Sequence, residues 1–144
     1  MAKVGRASRN SSFMRVESLD GTGNKTIESA ESGELYLLAG DPASDRTITL
    51  PAPKAGAYVK FLVTEEADTA AWIIAVPSGL LLGAVLAHVD SSDATTDVAS
   101  DASDDTQITL SADTNPGTVL ECVSDGTNWI VSGQVICSVV PVFA

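Results

Sequence analysis

The chain has 144 residues, of which 44% are apolar, 19% charged and 5% aromatic, and its formal net charge is −11. One domain with a full core fits that length, and the acidic balance argues against nucleic acid, because neutralising phosphates takes clustered bases. Two cysteines, Cys122 and Cys137, are too few for a disulfide framework, and no apolar run reaches the ~20 residues of a membrane span.

In chain order, the first fifteen residues stand apart. They hold Lys3, Arg6, Arg9 and Arg15 and no acid, so they sum to +4, while the other 129 residues hold four bases and nineteen acids and sum to −15. No apolar core follows the basic residues, so a secretory leader is not expected. Residues 1–16 read as an extended basic arm ahead of a single β-domain at 17–144. Ordering such a segment costs about 1–2 kcal/mol per residue, so the arm is expected to order against an acidic partner, through Lys3, Arg6, Arg9, Phe13 and Arg15.

"SLDGTGNKTI" (18–27) reads as a turn region, and "GELYLLA" (33–39) as a strand. "TITL" (47–50) is a short strand stopped by Pro51 and Pro53, and "AYVKFLVT" (57–64) is the clearest strand of the chain. "AWIIAV" (71–76) and "LLLGAVLAHV" (80–89) are further strands, the second because Gly83 weakens a helix. Residues 90–105, "DSSDATTDVASDASDD", read as a polar acidic loop. "TQITLS", "GTVLECVS" and "NWIVSGQVICSVVPV" complete the strands, and no helix of ten residues is expected. The last stretch, with Val139, Val140, Val142 and Phe143, is apolar enough to pair with a neighbouring subunit's sheet edge or to close its own barrel.

Part of this pattern is written twice. "ITLPAPKAGAYVKFLV" aligns with "ITLSADTNPGTVLECVS" with one residue inserted, and Trp72–Val76 aligns with Trp129–Gly133. Strand side chains alternate with period two. Lys60 and Glu121 then share the outward face, and Cys122 takes the place of Phe61 in the core. Both tryptophans are expected to lead equivalent strands and to be buried. Two copies are too few for a solenoid, so the expected fold is all-β: an antiparallel β-sandwich or jelly-roll-like barrel with paired strand-turn-strand units.

Catalytic vocabulary is thin. His88 is the sole histidine and no nucleophile elbow accompanies it. No cysteine/histidine cluster has zinc spacing, and no glycine-rich loop matches a nucleotide fingerprint. The aspartates of 90–105 lack the spacing of a calcium loop. We therefore expect no enzyme, no metal and no cofactor. The scarcity of charge leaves little to cover an isolated surface and points to buried interfaces in an assembly.

The runs "KTIESAESGELYLL", "ITLPAPKAGAYVKFLV" and "VLECVSDGTNWIVSG" resemble small virion proteins of tailed bacteriophages, especially capsid decoration (cement) proteins of marine phages. The likeness spans roughly residues 25–133 and is one of general pattern. It implies a homotrimer on the capsid exterior that bridges major capsid protein subunits, made in the host cytoplasm, with no nucleic-acid or membrane partner. Similar phrases occur in fibre and spike modules, which leaves a receptor- or carbohydrate-binding β-module, using Trp129, as the alternative.

Overall fold

A computed structural model describes residues 14–144. Lys3, Arg6, Arg9 and Phe13 of the expected arm lie outside the described residues. The described strands are β1 (Val16–Leu19), β2 (Lys25–Thr26), β3 (Leu35–Leu38), β4 (Arg46–Thr49), β5 (Tyr58–Val63) and β6 (Trp72–Ala75). They continue with β7 (Leu81–Val89), β8 (Ala94–Ala99), β9 (Gln107–Leu110), β10 (Val119–Ser124), β11 (Trp129–Cys137) and β12 (Val142–Phe143). One turn of 3-10 helix, Ser29–Glu31, is the helical content of the described residues, and no described helix is long and apolar enough to cross a membrane.

The strands form two sheets around one core. The seven-stranded sheet has the order β1-β3-β5-β10-β11-β7-β8, and the five-stranded sheet the order β12-β9-β6-β4-β2. This is the expected all-β sandwich, but its sheets are mixed rather than antiparallel. From β1 to β6 the chain alternates between sheets strand by strand. Thus β1, β3 and β5 run parallel in one sheet, and β2, β4 and β6 run parallel in the other. Parallel neighbours need a crossover of a dozen or more residues. Here a strand of the opposite sheet supplies it, so no helix is required. The first half therefore winds as a short two-sided coil, an arrangement the two-copy reading did not anticipate. Later strands mostly fold back antiparallel: β10 on β5 and β11, β9 on β6, β8 on β7 and β12 on β9.

Alternation supplies the core. Tyr36, Leu38, Val59, Phe61, Val63, Leu120, Cys122, Trp129 and Val131 face inward from the larger sheet, and Ile48, Trp72, Ile74, Ile108 and Leu110 from the smaller. The indole N–H of Trp129 donates to the Pro51 carbonyl at 3.0 Å, tying a strand of one sheet to the end of a strand of the other.

Elements at the edges differ from the expectation. The acidic stretch 90–105 is not one loop: β8 occupies its middle and pairs with β7. Thr95, Thr96 and Val98 favour a strand, and most of its aspartates sit in the turns on either side. The C-terminal stretch closes its own sheet, since β12 pairs with β9. Val140 and Phe143 pack against this chain's core, which narrows the expected subunit contact there to Val139 and Val142, both more than half exposed.

The internal repeat is a local twofold. In the β5–β10 pair Lys60 lies opposite Glu121, Val59 opposite Cys122 and Phe61 opposite Leu120. Repeat-equivalent residues, Val59 with Leu120 and Phe61 with Cys122, are thus related by an axis that passes between Lys60 and Glu121. The flanking hydrogen bonds come in matched pairs. Gly56 N donates to Ser124 O and Gly117 N to Val63 O, both at 2.9 Å. Ser124 N donates to Ala57 O at 2.8 Å and Val63 N to Thr118 O at 2.9 Å. Gly56 and Gly117 both hold left-handed backbone, at φ +81° and +94°. In the other sheet β4 and β9 flank β6, placing Ile48 and Ile108 on either side of Ile74.

The equivalence ends before the tryptophans. Trp72 lies in the five-stranded sheet and Trp129 in the seven-stranded one, so they do not lead equivalent strands. After β10 a four-residue turn reverses the chain within its sheet. The Asp125 carboxylate accepts from the backbone N–H groups of Thr127 and Asn128, both at 2.7 Å. After β5 the longer segment 64–71 has room to cross the ~10 Å between packed sheets.

Candidate interaction face

The outer face of the seven-stranded sheet is apolar. Tracing registers across it, one row reads Ser18, Leu37, Leu62, Val119, Gln134, Leu86 and Asp97. The next reads Val16, Leu35, Lys60, Glu121, Ser132, Ala84 and Ala99. A third holds Tyr58, Val123, Ile130 and Leu82. Four of the six exposed large apolar side chains of the described residues lie here: Val16, Tyr58, Leu86 and Val123. The two charges at its centre cancel, because Lys60 and Glu121 form an ion pair on the twofold. Asp97 stands at the margin.

The outer face of the five-stranded sheet is uncharged in another way. Thr26, Thr47, Thr49, Ile73, Ala75, Gln107, Thr109 and Val142 alternate with the inward positions of β2, β4, β6, β9 and β12. The acids of the described residues accordingly lie mostly in the turns and along the edges of the sandwich. No Lys or Arg follows Lys60 in the sequence, so the end of the sandwich formed by β8 and its turns has no basic side chain of its own to offset its aspartates.

The opposite edge, between β1 and β2, carries a polar cluster. Lys25 Nζ donates to Glu17 and Glu31 carboxylates at 2.9 Å each, and stands 5.6 Å from the centre of the Tyr36 ring. Burial depresses the Lys25 pKa, but the bonds to Glu31 and Glu17 outweigh it, and the net shift is upward. Glu31 is held below the ordinary carboxylate range by the Glu28 backbone N–H and by Lys25. Burial, with Glu31 and Glu34 nearby, pushes the Tyr36 phenol up. Arg15, the one expected arm contact among the described residues, lies 2.9 Å from the buried Glu34 carboxylate. Glu17, Glu31 and Glu34 have the spacing of a cation site, and the Lys25 ammonium already supplies a charge to two of them. Asp101, Asp104 and Asp105 also cluster, but Asp105 accepts from the Asp101 backbone N–H at 2.8 Å and Asp101 from Ser103, as in an ordinary turn.

The remaining sequence candidates are structural. Trp129 is buried, so no indole face is available for a sugar ring. Cys122 is buried and its thiol is pushed up to about 12 by burial, far from a thiolate nucleophile at neutral pH. His88 sits half-buried on β7, between Ile136 and Thr95.

The apolar face was not identified from sequence. Its signal was there: β5 and β10 carry Leu62, Val119 and Val123 at outward positions where a solvated sheet places polar residues, and runs apolar on both faces belong to sheets covered on both sides. Comparisons with protein-family models, curated proteins and solved structures gave no match to this chain.

Proposed function

We propose that this chain is a structural virion protein that binds the outside of a phage capsid as a homotrimer and stabilises it by bridging major capsid protein subunits. The observation that carries the reading is the placement of charge. Both sheet faces are free of net charge at their centres, while the acids gather on the turns and edges. Such a body is suited to be covered on its faces and solvated at its rim. The basic arm, +4 over residues 1–15, would add a second contact of opposite sign, and several weak contacts on one assembly multiply into tight binding. The carbohydrate-binding alternative has lost its proposed platform, since Trp129 is spent on the core and on Pro51.

The test is binding of the purified chain to emptied phage capsids by co-sedimentation. The full chain is expected to bind and to raise the temperature at which the capsids disrupt. A chain lacking residues 1–13 is expected to keep its fold and bind more weakly, with a smaller dependence on salt. Failure of the full chain to bind any expanded capsid overturns the reading.

A further inference from the structure

We infer that the outer face of the seven-stranded sheet is where copies of this chain pack against one another. The inference rests on the assembly reading above and names the surface that self-association uses. Three observations select a second copy as the occupant.

The first is area. Seven strands spaced ~4.8 Å apart span about 29 Å, and the rows from Tyr58 to Leu62 with their side chains cover roughly 17 Å. That gives on the order of 500 Å² in plan on each copy, or ~1,000 Å² for two, at the lower bound for a specific protein interface. The second is charge. The remainder of the body is strongly acidic, so copies meeting by their rims bring like charges together. This face carries Lys60 and Glu121 paired to each other at its centre, and copies meeting through it bring no net charge there. The third is composition. Leu35, Leu37, Leu62, Leu86, Val119 and Val123 form adjoining rows, and burying such side chains is the non-directional driving force that self-association needs. The five-stranded face offers mainly threonine (Thr26, Thr47, Thr49 and Thr109), and is left for the capsid.

The experiment is sedimentation equilibrium of the full chain without capsids, beside a Leu86→Glu/Val123→Glu double variant. An Ile73→Glu variant on the opposite face is the control. The wild type is expected to sediment as an oligomer and the control with it, while the double variant falls to the mass of one chain with an unchanged circular dichroism spectrum. A wild type that stays monomeric at ~100 µM, or a folded double variant that keeps the wild-type mass, overturns the inference. Should the double variant not fold, Val123→Cys carries the same question, since Cys122 and Cys137 are buried. Its thiol labelling is expected to slow at least tenfold between dilute and concentrated protein. A rate independent of concentration overturns the inference. Because no capsid is present, the result is independent of whether capsid binding succeeds.

Discussion

The local twofold makes a quantitative claim about two glycines. Gly56 and Gly117 occupy matched positions before β5 and β10, at φ +81° and +94°, and each donates its N–H to the end of the other strand. An alanine there must adopt left-handed backbone, which costs an L-residue about 1–2 kcal/mol. The space around each is different. A Cβ on Gly56 meets nothing within 4 Å, so backbone strain is the whole cost. A Cβ on Gly117 meets the Ile136 Cδ1 at 3.3 Å, a flexible side-chain end that shifts by a few tenths of an ångström. Gly56→Ala is therefore expected to lose about 1–2 kcal/mol and Gly117→Ala the same or slightly more. In thermal terms each loss is roughly 3–8 °C. Urea unfolding followed by tryptophan fluorescence is the assay, with the midpoint lowered and the slope unchanged. A neutral or stabilising Gly56→Ala, or a difference above ~2 kcal/mol between the two variants, refutes the equivalence of the two turns.

The two tryptophans, alike in sequence, are expected to respond differently. Trp129→Phe removes the donor to Pro51 and leaves a buried carbonyl unsatisfied, at about 1–3 kcal/mol beyond lost packing. The Trp72 Nε1 is buried without a hydrogen-bond partner, so Trp72→Phe removes an unsatisfied group and is expected to cost less in urea unfolding. Equal losses would show that the bond to Pro51 is not what Trp129 contributes. The β1/β2 edge is expected to depend on pH in both directions. Glu31 is lowered from 4.5, so its contribution is present above that value and is lost as pH falls through its folded pKa. Lys25 is raised from 10.5, so its contribution is present below that value and is lost as pH rises through its folded pKa. Melting temperatures of Glu31→Gln and Lys25→Met are expected to flatten the acid and alkaline limbs respectively. Limbs parallel to the wild type would remove the cluster from the stability of that edge.

Local pattern alone located nine of the strands in whole or part, including β5 with its inward Val59, Phe61 and Val63, because alternation and Pro/Gly punctuation are written within each segment. It placed Cys122 beside Phe61 in the core for the same reason, and it paired the β4–β5 and β9–β10 corners. Strand direction was not legible. Nothing within Leu35–Leu38 or Tyr58–Val63 records that they lie side by side in parallel, since the crossover between them runs through β4 in the other sheet. The fates of Trp72 and Trp129 were equally hidden, because the chain before each decides which sheet it joins. The acidic stretch around β8 read as a loop because its strand, at the sheet edge, buries only Val98 in part and so shows little apolar alternation.

The outer face divides along the same line. Each outward residue, Leu37, Leu62, Val119 or Leu86, is unremarkable in its own strand, and single exposed apolar residues are normal. Only register brings them into one row and sets Lys60 against Glu121 at its centre. The amino-acid order by itself determined the strands, the buried alternation and the segregation of base from acid, since these depend on neighbours one to four residues away. The tertiary structure decided direction, sheet membership and the apolar face, since these depend on pairings between segments some 20 to 60 residues apart.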